Sequence, residues 1–357
     1  MKPSALALAA AAALPAAFLA TTVHAQSSVQ VYGLLDVGVE QVNHAGANGG
    51  SATRVISGGK NTSRWGLRGA EDLGGGLKAV WNLEGGILMD TGAIDGQLFR
   101  RQAYVGLDGS FGRIVIGRSF TTVYDFVIKY DPLGFAPNYS WATTASATGP
   151  SKYGMTTGFD NLIKYSGTTG GFSYGATIGL GEQAGESADN RKYAVAGAYN
   201  AGPFGAMLSY EQINGNTVPA TGNRDKTTAF HAAADYKLED WRFTAGMRGY
   251  KLRAGRANAA ELQGDTYWGG ITYYLKPAIT VTGAVYHVNT KNVAAAVDAD
   301  PTLYVLRGMY ALSKRTDLYL TGGYAKADHN QLVGLSRDDP GFGSRQAGVT
   351  AGIQHRF

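Results

Sequence analysis

The sequence predicts an all-β protein: one antiparallel sheet of sixteen strands closed into a transmembrane barrel. Three observations lead there: the form of the last eleven residues, a composition rich in glycine and tyrosine with no cysteine, and a rhythm of short turns and long loops. In Ala347 to Phe357 (AGVTAGIQHRF), one face carries Ala347, Val349, Ala351, Ile353, His355 and Phe357. The other carries Gly348, Thr350, Gly352, Gln354 and Arg356. A two-faced strand ending on an aromatic residue leaves a sticky edge in an open sheet. In a closed barrel that edge disappears by pairing with the first strand, here expected along Val29 to Val39.

Residues 1–25 read as a cleaved export signal. Lys2 supplies the positive start, Leu6 to Ala20 is an apolar run broken by Pro15, and Val23-His24-Ala25 is a small-residue cleavage site, so the mature chain is expected over 26–357 as one domain. Without Lys2 the chain has 31 Lys+Arg against 27 Asp+Glu, about +4, too mild a charge for a nucleic-acid binder. With no cysteine in an exported chain, stability must come from the hydrogen-bonded sheet rather than disulfides. Glycine, at 51 of 357 residues, is about twice its usual share, but 44% hydrophobic and 11% aromatic residues argue against disorder. Past the leader no apolar run is long enough for a spanning helix, so any membrane crossing is made by strands.

The first strand sets Val29, Val31, Leu35, Val37 and Val39 against Gln30, Tyr32, Asp36 and Glu40. Trp65 and Leu67 oppose Arg64 and Arg68; Leu77, Ala79, Trp81 and Leu83 oppose Lys78, Asn82 and Glu84; and Tyr304, Leu306 and Tyr310 flank an inward Arg307. The pattern places strands over 28–43, 53–71, 77–90, 98–108, 111–119, 159–167, 171–182, 190–200, 203–213, 226–237, 240–253, 264–276, 278–290, 302–312, 316–327 and 345–357. Sixteen is even, as a bacterial single-chain barrel requires. Tight turns are expected at Asp72 to Gly76, Asp108 to Gly112, Gly167 to Gly171, Asn200 to Pro203, Leu238 to Asp240, Lys276 to Ala278 and Ser313 to Thr316, with long polar loops between them. Trp241, Tyr267, Tyr273, Tyr304, Tyr310 and Tyr324 fall toward strand ends on the apolar face, as an interfacial girdle would. A soluble sandwich is the competing reading, but it would have to bury Arg64 and Arg68 or expose Trp65 and Leu67.

One segment breaks the rhythm. Phe120 to Gly158 shows no alternation and is too long for a plain connection, which marks it as functional; it carries Asp125, Lys129, Asp131, Pro132, Pro137 and Trp141. Catalytic motifs fail. Gly171-Phe172-Ser173-Tyr174-Gly175 matches a nucleophile elbow, yet a strand and not a helix follows it. Gly179-x-Gly181-x-x-Ala184 opens no helix, and the histidines have no metal-ligand spacing, so no catalytic residue, metal or cofactor is expected.

The stretches Val31-Tyr32-Gly33-Leu34-Leu35-Asp36, Ser63 to Leu73 (SRWGLRGAEDL), Arg101 to Leu107 (RQAYVGL), Gly112 to Arg118 (GRIVIGR) and the final Arg356-Phe357 resemble the trimeric general porins of the Gram-negative outer membrane, β-proteobacterial type. The resemblance implies that the segment over about 120–158 folds into the lumen as a constriction loop and sets acids against wall arginines. Arg64 and Arg101 match wall basics, Arg68 shares the lumen side of Arg64, and Asp131 matches a loop acid. Two positions depart: Phe135 stands where a second loop acid is usual, and Gly158 where a wall basic is often found. It also implies a homotrimer in outer-membrane lipid and lipopolysaccharide, with Phe357 read by the barrel-assembly machinery.

The function implied is passive diffusion of small hydrophilic solutes, with no enzyme activity and no nucleic-acid partner. Selectivity is expected from Arg64, Arg68, Lys78 and Arg101 against Asp125 and Asp131, leaning toward anions, with Glu84 and Asp36 weakening the lean. The alternatives are a channel selective for one anion or sugar and, from another class, a barrel enzyme or adhesin.

Overall fold

The computed structural model describes residues 28–143, 157–336 and 341–357; the expected leader lies outside them. The strands are β1 (Ser28–Val42), β2 (Ala52–Ser57), β3 (Arg64–Gly74), β4 (Leu77–Gly86), β5 (Gln102–Gly109), β6 (Gly112–Phe120), β7 (Gly158–Thr169), β8 (Phe172–Gly179) and β9 (Lys192–Ala201). They continue as β10 (Phe204–Thr217), β11 (Arg224–Leu238), β12 (Trp241–Arg253), β13 (Leu262–Lys276), β14 (Ile279–Lys291), β15 (Thr302–Ala311), β16 (Thr316–Lys326) and β17 (Arg345–Arg356). Apart from β2 and β3, which both pair β1, each strand pairs antiparallel with its chain neighbours, and β1 pairs β17, so the sheet closes. β1 bonds β3 along Ser28 to Leu34 and β2 along Val37 to Val42. β2 and β3 are therefore two pieces of one stave, and the barrel has sixteen positions.

The expected strand over 53–71 is thus interrupted at 58–63. Gly58 turns the chain at φ +87°, a conformation that favours glycine. Asp36 of β1 then captures the segment: its carboxylate accepts from the Asn61 amide at 2.8 Å and from the Tyr319 hydroxyl at 2.7 Å. Ser63 Oγ donates to the Asp36 carbonyl and accepts from its amide, both at 2.9 Å. The buckle turns Lys60 toward β16, where its ammonium meets Asp317 at 2.9 Å.

The alternation is obeyed by the wall. Val31, Val105, Ile116, Leu208, Leu306 and Leu320 are exposed on the outside, where lipid would cover them. Near the short-turn end Trp241 stacks on Tyr273 at 4.2 Å, while Tyr267, Tyr304 and Tyr324 lie toward the long-loop end, giving an aromatic belt at each rim. Glycine and proline make the tight turns where expected: Gly75-Gly76, Gly170-Gly171, Gly202-Pro203 and Pro277-Ala278.

The seam forms with a shifted register. Pairing runs from Leu34↔Arg356 to Val42↔Gly348, not along Val29 to Val39, because the chain ends with Phe357 bonded to Gly33 through amide and carbonyl at 3.1 and 3.2 Å. The Phe357 ring covers Gly33 so closely that a Cβ there would fall 2.3 Å from it. Only glycine fits beneath that ring.

Candidate functional site in the lumen

The buried core of this protein lies inside the barrel, between the wall and the segment after β6. Helix α1 (Thr122–Val127) begins that segment, capped by Thr121 Oγ1, which accepts from the Tyr124 amide at 3.0 Å. It packs on β9 and β10, whose inward residues are small or flexible: Ala194, Ala196, Ala198 and Met207. Alternate alanines on the lumen side of β9 make the room that the helix occupies. Val123, Phe126 and Val127 fill it.

From there the loop follows the inner wall, tied at each step by polar contacts to a new strand. Thr122 Oγ1 meets Thr177 of β8 at 2.7 Å, the Lys129 carbonyl accepts from Arg242 of β12, and the Tyr130 carbonyl accepts from Trp268 Nε1 of β13 at 2.8 Å. The Leu133 carbonyl accepts from Arg307 of β15, Tyr139 bonds Thr350 of β17 at 2.6 Å, and Asn138 donates to Glu40 of β1. The loop so covers the wall from β7 round to β17. Among the described residues, no contact of the loop reaches round to β3 and β4, and this arc, β3 to β5, carries the basic group.

On that arc sit the two wall basics implied by the resemblance. Arg101 Nε donates to Glu84 Oε1 at 2.7 Å, and Arg64 Nε lies 3.9 Å from Glu84 Oε2. Tyr32 donates its hydroxyl to the same carboxylate at 2.8 Å. Glu84 is only 4% exposed, whereas the Arg64 side chain is 28% exposed. One carboxylate thus organises two guanidinium groups, and the outer one still faces the lumen.

Opposite them the described loop presents rings and a lysine. Phe120 carries the Arg101 guanidinium 5.1 Å from its centroid and stacks on Tyr124 at 4.3 Å; Tyr124 meets Phe135 edge-on at 5.2 Å. Lys129 is exposed, with its ammonium 5.3 Å from the Phe126 ring.

The remaining expected residues fall elsewhere. Arg68 lies one step nearer the short-turn end, bonded to Gln30 at 2.9 Å and placed over the Tyr32 ring at 4.6 Å. Lys78 is exposed beside the Gly75-Gly76 turn, six residues along β4 from Glu84 and so roughly 20 Å away. Asp125 faces the wall, where it bonds Lys164 of β7 at 2.8 Å. Asp131, 3% exposed, is turned behind the loop: its carboxylate accepts from the amides of Leu133 and Phe135, from Ser140 Oγ and from the Tyr286 hydroxyl of β14. Residues whose roles sequence reasoning did not isolate are Glu84 as shared counter-ion, Lys164, and the Phe120–Tyr124 stack; the alternation of β7 and the four-residue spacing of the rings were the available signals.

A closed barrel of sixteen staves, apolar outside, polar within and carrying a loop laid along its lumen, is an outer-membrane pore of the diffusion type. The chain belongs to the Gram-negative porin family, whose model matches residues 7–330. It is 32% identical over 372 aligned residues to outer membrane porin protein 32 of Delftia acidovorans, covering all of both chains. It is 30% identical over 405 residues to an outer membrane porin protein of Bordetella pertussis, covering 97% of this chain and 98% of the relative. The structure of an anion-selective porin from Comamonas acidovorans superposes with a TM-score of 0.78 at 28% identity, covering 93% of this chain and all of that one. OmpT of Vibrio cholerae, at 17% identity and a TM-score of 0.69, shares the fold. The protein is an outer-membrane porin through which small hydrophilic solutes diffuse passively.

Proposed function

We propose that this porin favours anions and that Arg64 and Arg101 carry the preference, with Arg68 and Lys78 extending the basic track toward the short-turn end. The observation that carries this reading is the pairing of charges. Asp125 is matched by Lys164 and Asp131 lies within electrostatic reach of Arg307, both wall cations behind the loop. Glu84 matches only one of Arg64 and Arg101. The Arg64–Glu84–Arg101 group keeps one positive charge in excess, to which Lys129 adds another. In a narrow, low-dielectric passage an unmatched charge is felt more strongly than in bulk water.

Reversal potentials in a planar bilayer under a potassium chloride gradient test it; a clear potassium preference refutes it. Arg64→Glu combined with Arg101→Glu should reverse the sign. Assembly as a homotrimer, contact with lipid and lipopolysaccharide, and reading of Phe357 by the barrel-assembly machinery belong to the same proposal. A trimer would run slowly in detergent gels until boiled. No catalytic role is proposed: Ser209 Oγ and His231 Nδ1 are 3.1 Å apart, but His231 is 1% exposed and no substrate carbonyl could reach the pair.

A further inference from the structure

The anion reading accounts for the arginines but not for what faces them. Where a loop acid would balance the wall, this chain sets a column of aromatic rings that begins at a guanidinium: Arg101 over Phe120, Phe120 stacked on Tyr124, and Phe135 edge-on behind. Tyr124 ends the column half-buried, within electrostatic reach of Arg64. Arg64 spends one N–H on the Thr62 carbonyl at 3.0 Å and stands at the outer limit of contact with Glu84, so donors of its fork remain for a solute. A carboxylate is the anion that fork fits best, through two parallel hydrogen bonds. A planar ring attached to that carboxylate would have Tyr124, half-buried and within electrostatic reach of the same guanidinium, as its aromatic neighbour.

We propose that this aperture selects planar aromatic carboxylates among small anions, the carboxylate resting on Arg64 and the ring on Tyr124 and its Phe120 support. Inorganic anions and aliphatic acids use only the first contact. The inference rests on the anion preference proposed above and adds a substrate class to it. Stacking of this kind predicts that benzoate binds in the passage about two- to tenfold more tightly than cyclohexanecarboxylate, which has the same charge and nearly the same size but no π face.

The test uses the full mature porin in planar bilayers, with chloride current as the readout and sodium acetate, cyclohexanecarboxylate and benzoate as added solutes. Benzoate should reduce the current saturably, at a half-blocking concentration two- to tenfold below that of cyclohexanecarboxylate, with acetate weakest. Y124F keeps the ring and should keep that ratio; Y124L should bring it to one, with block read relative to each variant's own chloride current and heat-modifiable gel migration as the check on folding. R64Q should weaken block by all three acids together. Equal block by benzoate and cyclohexanecarboxylate, with anion preference intact, overturns this inference alone. Potassium preference in the salt gradient overturns the anion reading and this inference with it. A ratio unchanged in Y124L places the ring elsewhere and also overturns it.

Discussion

Glu84→Gln separates charge from geometry at the aperture. The amide oxygen of Gln, in place of Oε1, can still accept from Arg101 Nε, a bond of 2.7 Å in the parent, and its NH2, in place of Oε2, can donate to the Tyr32 hydroxyl, whose own proton then goes to Asn82 Oδ1 at 2.9 Å, so the frame of the group is kept. What is lost is one negative charge. An anion in contact with Arg64, itself 3.9 Å from Glu84, sits about 6 Å from that carboxylate. At the dielectric constant of water the interaction is about 0.7 kcal/mol, falling to about 0.4 kcal/mol when screened by 0.1 M salt. Removal lowers the energy of a passing anion by that amount and raises that of a cation equally, so the permeability ratio changes by about 0.8–1.4 kcal/mol, or roughly four- to tenfold toward chloride. The reversal potential in a potassium chloride gradient reads this directly. Glu84→Asp, which keeps the charge, should leave the ratio near the parent value. A Gln variant that folds and conducts with an unchanged ratio, or one shifted toward potassium, refutes the placement of Glu84 at the selective point.

Asp131→Ala removes the acceptor of four hydrogen bonds behind the loop; with charge-assisted bonds worth about 1.5–3 kcal/mol each and not additive, the loop loses several kcal/mol of anchoring, and single-channel records should show added open-state noise. A quiet record at parent conductance contradicts the anchoring role. Gly33→Val drives a side chain into the Phe357 ring and the Arg64 carbonyl, and should lower the temperature at which the detergent-solubilised barrel unfolds on gels; an unaltered midpoint means the seam tolerates a gap there. In the loop between β8 and β9, the amide and hydroxyl of Thr217 hold the Asp189 carboxyl below the usual carboxylate range. A lowered folded pKa gives stability that is present above the unfolded value of about 3.9 and is lost as pH falls through the folded value, so the Thr217 amide resonance should move only below about pH 4. Movement near neutral pH argues against that latch.

The strands were legible because lipid outside and water inside impose a period of two on every stave, and the turns because glycine and proline hold positions that few other residues can. The break at 58–63 was not. It depends on Asp36, some 25 residues earlier, offering a carboxylate to the Asn61 amide, and no local pattern in 53–71 encodes that partner. Strand alternation placed Arg64, Arg68, Lys78 and Glu84 on the lumen side but could not order them in depth, since depth follows from register across strands. The Arg64↔Gly86 pairing puts Glu84 beside Arg64, and the bond from Arg101 completes the group. Lys78 shares their face yet stands at the far end of the same strand.

The two loop acids show why residue type alone does not define a selectivity filter. Asp125 and Asp131 were expected to face the arginines across the passage, where opposed charges set up a transverse field. Each is instead within reach of a wall cation on its own side, Lys164 of β7 or Arg307 of β15, and Asp131 also has amide and hydroxyl donors close in sequence or on β14. A carboxylate with such donors nearby is more stable against the wall than toward water, because fixed hydrogen bonds replace hydration without the entropy cost of holding an exposed side chain. Among the described residues Glu84 has no backbone donor; its partners are two arginines and a tyrosine, so its charge stays coupled to side chains on the lumen side of the wall. The loop's acids then serve to fasten it, and its described part offers rings and Lys129, not its acids, to the lumen. A filter built as proposed above would separate solutes by sign at the arginines and by the shape and polarisability of what they carry at the rings.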